Sequence, residues 1–260
     1  MVKKRDEEME YDYESHRNAI TILENDPKLK KDWQQVQYII NSITEGDIMK
    51  VHNENFCKSN KSISLALNKL FHERFKDWKW QDESPIFQDE EYQGEKWRLD
   101  FAKKGTLSIE VAYNHGGTIA WNLLKPVLAS ELNHVKKQAQ TKIGIIITAT
   151  RELQKVGGFD NAVGLYDNYV KYLKPLMNQL TVPLLIIGLH PPKYFKIVHR
   201  QFIKNDGKRI KVGKVVFKGA KKKLSKRFRA GNYIGRIYFR KKYKLIRKGN
   251  IGSYYKGKIK

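Results

Sequence analysis

The stretch WRLDFAKKGTLSIEVAYNHGG, residues 97–117, decides how the middle of the chain folds. Residues 107–111 alternate apolar side chains with small or polar ones, and this period of two is typical of a β-strand with one buried face. The preceding link at 103–105 has the length and composition of a tight turn. We therefore predict a hairpin that carries Asp100 on its first strand and Glu110 on its second, with both carboxylates able to face the same side.

Apolar periodicity on both sides of this hairpin predicts an α/β fold. Helical spacing of apolar residues predicts helices before and after it, and continuous β-branched runs predict strands that are covered on both faces. The predicted helices cover residues 27–44, 62–75, 119–142 and 162–180, and the predicted buried strands cover 143–150 and 182–190. This order of elements predicts a mixed central sheet flanked by helices.

The positive charge of the chain is concentrated at its end. Residues 201–260 contain 22 Lys and Arg but one acid, Asp206, so they hold +21 of the net charge of +24. Aromatic residues interleave with these cations, which favours a nucleic-acid-binding segment over a plain solubilising tail; an RNA contact or an anionic membrane are the alternatives. The predicted contact residues are Lys221, Lys222, Lys223, Lys226, Arg227, Arg229, Arg236, Arg240, Lys241 and Lys242.

Three regions follow from these patterns. We predict an N-terminal helical region over residues 1–60, an α/β core over 61–200, and a basic, strand-rich extension over 201–260. A single cysteine, Cys57, excludes a disulfide framework and a cysteine zinc site within one chain, which is typical of a cytoplasmic protein. No apolar run approaches the roughly 18 residues that a membrane span needs, and the charged N-terminus does not resemble a secretory signal.

Asp100 and Glu110 point to metal-assisted chemistry on phosphate. A carboxylate pair is a hard oxygen site suited to Mg²⁺, which can polarise a phosphodiester and supply hydroxide. Basic residues nearby would neutralise the phosphates of a nucleic acid. The plain alternative is structural: the two acids would then pair with Arg98 or Lys103 across a solvated hairpin.

The pair also carries a family resemblance. LD at 99–100 and IEVA at 109–112 resemble the PD-(D/E)XK nuclease superfamily, in which an Asp is followed on the next strand by (Asp/Glu)-X-Lys. Within it, LSIEVAYNHGGTIAWNLLKP, residues 107–126, is most similar to type II restriction endonucleases of the BglII/BstYI/BamHI kind. The resemblance implies a restriction-endonuclease-like core and Mg²⁺-dependent, sequence-specific cleavage of double-stranded DNA. It also implies metal ligation by Asp100 and Glu110, and a homodimer, because a two-fold protein matches a palindromic site.

Ala112 departs from the family pattern. The family places Lys, Gln or Glu there, whereas a methyl group can neither orient nor deprotonate water. Three residues are candidates to replace it: Asn114 further along the strand, and Lys125 or Glu131 on the following helix. If none does so, the chain is a nucleic-acid-binding protein without hydrolytic activity. By analogy with the superfamily, Glu73 on the preceding helix is a candidate outer carboxylate near the metal.

Overall fold

A computed structural model describes residues 9–131, 134–203 and 207–219. The strands are β1 (Tyr11–His16), β2 (Gln81–Pro85), β3 (Arg98–Ala102), β4 (Leu107–Val111), β5 (Ile143–Ala149), β6 (Leu184–Leu189), β7 (Phe195–Ile203) and β8 (Arg209–Phe217). The α-helices are α1 (Ala19–Asn25), α2 (Pro27–Ser42), α3 (Glu45–Val51), α4 (Ser64–Asp77), α5 (Ile119–Ser130), α6 (Arg151–Gly157) and α7 (Tyr166–Leu173). The ten cations predicted to contact nucleic acid, from Lys221 to Lys242, lie outside the described residues.

Six strands form one mixed sheet in the order β1-β6-β5-β4-β3-β2. The central strands β4, β5 and β6 are parallel, while β1 is antiparallel to β6 at one edge, and β3 and β2 continue antiparallel at the other. Every residue of β5 and β6 is buried, as their continuous apolar runs predict, because helices cover both faces of the sheet. The structure thus confirms the predicted mixed α/β fold.

The two faces of the sheet are covered by different helices. On one face, Ile109 of β4 belongs to a large core that also contains apolar residues of α2 and α4. On the other, Ala112 packs in a second core with apolar residues of α5 and α7. Since side chains alternate along a strand, Glu110 points to the same face as Ala112. Gly144 of β5 allows α5 to lie close to the sheet, because a Cβ at that position would come within 2.3 Å of Pro126 Cβ.

The predicted hairpin is present as β3 and β4. Its strands pair antiparallel through Phe101 with Ile109 and Ala102 with Ser108. The turn contains Gly105 at a φ of +78°, a left-handed conformation that glycine adopts without steric cost. Turn chemistry therefore placed the hairpin correctly, but every residue of β4 is buried, so this strand is covered on both faces and not on one.

The predicted helix over 119–142 is too long. It ends at Ser130, and Glu131 is already extended. The following chain returns to the sheet, where Gln138 N–H donates to Ile86 O and Thr141 N–H donates to Ala129 O. These tertiary hydrogen bonds satisfy the backbone that a longer helix would otherwise have paired internally.

Two further elements differ from the sequence-based expectations. The predicted N-terminal helical region contains α1, α2 and α3, but it also contributes the edge strand β1, whose partner β6 is distant in sequence. At the other end, β7 runs through the predicted boundary at residues 200 and 201 and pairs with β8 in a two-stranded sheet. Among the described residues, no helix combines the length and apolarity needed to cross a membrane.

Candidate active site

Asp100 lies where the β3–β4 hairpin opens. The last backbone pair on this side joins Phe101 and Ile109, and beyond it the Val111 N–H donates to Asp100 Oδ2 over 2.6 Å. The carboxylate therefore occupies the gap between the diverging strands. An amide hydrogen bond to a carboxylate favours its ionised form and fixes its position.

Glu110 is buried beside this gap, and it is paired with a lysine from the next helix. Only 3% of its surface is exposed, and Lys125 Nζ of α5 lies 2.7 Å from Glu110 Oε2. The second carboxylate oxygen, Oε1, is buried without a hydrogen-bond partner. A buried, half-satisfied carboxylate is costly in an isolated protein and typical of a site that awaits a ligand.

Burial shifts the pKa of both acids towards their protonated forms, and repulsion by Asp100 adds to the shift of Glu110. Burial raises the pKa of Glu110 well above its ordinary range, the charge of Asp100 raises it further, and Lys125 opposes this shift. Burial also raises the pKa of Asp100, while the Val111 N–H and Lys125 lower it. A cation bound between the two carboxylates would favour the charged form of each.

A third acid near the pair, Glu83, was not predicted from the sequence. The pairs Asp82–Phe101 and Ser84–Leu99 place Glu83 opposite Asp100 in the β2–β3 register, and its charge raises the pKa of Asp100. Its φ of +45° is unusual for a residue other than glycine. The segment QDESP shows no strand pattern and ends in proline, so the sequence did not predict that it forms a strand paired with β3.

Two polar side chains lie behind the pair. Asn122 Nδ2 of α5 donates to the Tyr169 hydroxyl of α7 over 2.8 Å, and both residues are at most 3% exposed. The charges of Glu110 and Asp100 raise the pKa of Tyr169, after the larger effect of burial, so the phenol lies within electrostatic range of the carboxylates. Asn122 is one turn from Lys125 on the same helix, which explains why one helix face supplies both polar groups.

The other predicted site residues lie elsewhere. Glu73 pairs with Lys69 at 4.0 Å on the exposed side of α4, which packs on the sheet face opposite Glu110. Glu131 accepts a hydrogen bond from the Thr181 hydroxyl and is exposed. Asn114 follows the end of β4 in a bend rather than on the strand, and its side chain is exposed. The structure therefore brings Asp100, Glu110 and Lys125 together and separates Glu73 and Glu131 from them.

The pair does not belong to a larger metal-ligand cluster. Within residues 9–131, 134–203 and 207–219, no three His, Cys, Asp or Glu side chains converge with a geometry that could hold a metal ion. A metal at this site would therefore take two carboxylates from the chain and complete its coordination with water and substrate oxygens. This is the usual arrangement for Mg²⁺.

The chain is similar to known proteins in sequence and in fold. A family model described as restriction endonuclease BglII/BglIII matches residues 11–189, which include both carboxylates and Lys125. The crystal structure of restriction endonuclease BglII in complex with a DNA 16-mer is similar in fold, with a TM-score of 0.52 and 17% identity, and the match covers 80% of this chain and all of that one. The structure of free BglII matches with a TM-score of 0.47 and 16% identity over the same shares. No curated protein matches the sequence.

Proposed function

Since this chain belongs to the restriction endonuclease BglII/BglIII family, we propose that it cuts double-stranded DNA with a Mg²⁺ ion held by Asp100 and Glu110. Family membership makes it a type II site-specific deoxyribonuclease. The observation that carries the metal assignment is the buried Glu110 carboxylate, one oxygen of which meets Lys125 while the other has no partner. The two carboxylates carry more negative charge, when ionised, than Lys125 balances, which favours a cation beside Asp100.

The two carboxylates fit Mg²⁺ in donor type and number. Both are hard oxygen donors, both have raised pKa values, and Glu110 Oε1 offers a buried lone pair without a hydrogen bond. When bound, Mg²⁺ would stabilise the charge that develops on the scissile phosphate. Asp100 is held in place by the Val111 N–H, and Glu110 by Lys125, so the chain presents both oxygens in fixed positions.

Lys125 is the residue that we propose in place of the missing side chain at position 112. An ammonium group has three hydrogens, and one of them is donated to Glu110 Oε2. The remaining hydrogens are available to orient the attacking water or a phosphate oxygen. A cation fixed in a site of low polarity stabilises developing negative charge more strongly than it would in water.

The DNA substrate implies further properties of the assembly. We propose a homodimer, because two copies of one active site are needed to cut both strands of a palindromic sequence symmetrically. The parallel strands β4, β5 and β6 end at the same edge of the sheet, close to Asp100, and this edge is where we place the DNA. We also place the enzyme in the cytoplasm, where such a substrate is found.

The proposal is tested by incubating the purified protein with a long, defined duplex in the presence and absence of Mg²⁺. We expect discrete fragments that require Mg²⁺ and that disappear in Asp100→Asn and in Glu110→Gln. Both variants should still bind duplex DNA when Ca²⁺ replaces Mg²⁺, and Glu73→Gln should cleave normally as the matched control. Fragments from Asp100→Asn at the wild-type rate would refute the metal assignment.

A further inference from the structure

The β7–β8 pair, here called the ribbon (195–203 and 209–217), carries many cations without matching acids. In the sequence from 191 to 219 the one acid is Asp206, which lies outside the described residues. Among the described residues, the structure shows no ion pair for five cations of the ribbon. These are Lys196, Arg200, Arg209, Lys211 and Lys214. Unpaired like charges repel each other, so such a surface is stable only beside a polyanion or in open solvent.

One half of the ribbon is fixed to the core. Phe195, Ile197 and Val215 are buried with the apolar residues that cover β4 and β5. Gly213 lies against the backbone, because a Cβ there would meet Lys61 O at 2.2 Å, and its N–H donates to Asn60 O over 2.7 Å. This base gives the ribbon a defined direction relative to the sheet.

The other half of the ribbon, where β7 ends and β8 begins, is exposed to solvent. Gln201 and Lys211 form a cross-strand pair and are both exposed, and the next pair on that face joins Ile203, which is 62% exposed, to Arg209. Arg200 lies on the alternate face and is exposed as well. The distal half therefore presents cations on both faces.

The ribbon rises from the edge of the sheet that carries the candidate active site. It follows β6, which is parallel to β4 and ends at the same edge, and the His199 ring nitrogen Nε2 lies 3.1 Å from Gly158 O, directly after α6. α6 in turn begins where β5 ends. The base of the ribbon and the Asp100–Glu110 pair therefore lie at the same edge of the sheet, with the ribbon base packed on the α4 face and Glu110 on the opposite face.

We propose that the ribbon binds the phosphate backbone of the DNA substrate, independently of base sequence. This inference rests on the proposed function and adds a surface outside residues 11–189, which the family model matches. A strand of nine residues extends about 30 Å, which is close to one turn of B-DNA. Lys and Arg side chains bind phosphate oxygens, and such contacts fix the position of a protein on the duplex without selecting a sequence.

The test compares two triple variants of equal charge in the full-length protein. The ribbon variant is Lys196→Gln/Arg200→Gln/Lys211→Gln, all exposed positions. The matched control is Lys30→Gln/Lys31→Gln/Lys104→Gln, whose exposed cations lie on α2 and on the β3–β4 turn, at the opposite edge of the sheet. Both lower the net charge by three, and thermal denaturation checks that both remain folded.

Binding is measured with Ca²⁺ in place of Mg²⁺, on three unrelated duplexes of one length, from low to high salt. In the ribbon variant we expect the slope of log K against log salt to fall by about 0.9 for each lost phosphate contact, equally on all three duplexes. The control should keep the wild-type slope. The control should also keep the wild-type single-turnover cleavage rate.

Two results would overturn the assignment. A ribbon variant with the slope of the control would show that these cations do not meet phosphate. Weakening confined to one duplex would show that they contact bases instead. Failure of the proposed cleavage function has a different signature, because wild-type protein would then leave DNA intact with Mg²⁺ while the salt slopes could still be compared.

Discussion

Lys125→Met is the most informative single change in this protein. It removes an ammonium group that lies 2.7 Å from Glu110 Oε2, in a pair whose side chains are 11% and 4% exposed. Methionine keeps an unbranched side chain of comparable length, so the packing of α5 against the sheet should survive. The charge interaction is therefore what the substitution changes.

The cost depends on whether Glu110 is charged. Removing one partner of a buried ion pair costs about 3–5 kcal/mol when the other must remain ionised. Glu110 can instead take up a proton, because its pKa in the folded state is raised well above the ordinary 4.5, and it rises further without Lys125. We expect a loss of about 3 kcal/mol in the free energy of unfolding at pH 8, which lowers Tm by about 6–12 °C.

The pH dependence has a defined sign. Between the unfolded and the folded pKa of Glu110, the native state binds more protons than the unfolded state, so stability falls as pH rises. The limit for one such group is about 1.4 kcal/mol per pH unit. Because the variant has the higher folded pKa, its deficit relative to wild type should be small near pH 5 and should grow towards pH 8.

Urea denaturation of four proteins at pH 5 and pH 8 checks this. They are wild type, Lys125→Met, Glu110→Gln and the double variant, with the exposed Lys171→Met on α7 as a control for the substitution itself. The double variant should recover most of the stability lost at pH 8, since no buried charge remains unpaired. A loss below about 1 kcal/mol at pH 8, or a double variant no better than Lys125→Met, would refute the reasoning.

Two further predictions concern how α5 is held. Gly144→Ala should destabilise the protein by about 1–3 kcal/mol and slow cleavage. The new Cβ would meet Pro126 at 2.3 Å and displace the helix that carries Lys125. Unchanged urea denaturation and an unchanged cleavage rate would contradict this. Tyr169→Phe should slow single-turnover cleavage without weakening DNA binding, since it removes the hydroxyl that accepts a hydrogen bond from Asn122. Tyr172 is exposed on the same helix, so Tyr172→Phe should change neither the cleavage rate nor DNA binding.

The parts of the fold that sequence alone predicted are those set by local rules. The β3–β4 hairpin followed from strict alternation and a turn with glycine, and β5 and β6 followed from continuous apolar runs. The elements that were missed depend on distant partners. β1 is polar and exposed on its outer side, and its strand geometry comes from hydrogen bonds to β6, more than 160 residues away. Glu83 was not predicted to lie near the site because only the pairing of β2 with β3 places it beside Asp100.

The candidate site residues divide in the same way. Asp100 and Glu110 were predicted from a two-strand motif, because the hairpin register alone brings them together. The predicted outer acid, Glu73, failed to join them because the helix that carries it covers the other face of the sheet, and helix periodicity contains no information on which face is chosen. No preference among the three candidates to replace the residue at position 112 followed from the sequence, since the distance that a helical side chain can span depends on how closely its helix packs on the sheet.

Close packing of α5 explains why alanine stands at position 112. Ala112 is 2% exposed and packs in the same core as Ile119 and Leu123 of α5, so a long side chain there would have to displace the helix. The small residue and Gly144 together let α5 approach the sheet, and this approach is what brings Lys125 Nζ within 2.7 Å of Glu110. In the proposed mechanism, the cation has therefore moved from the strand to the helix.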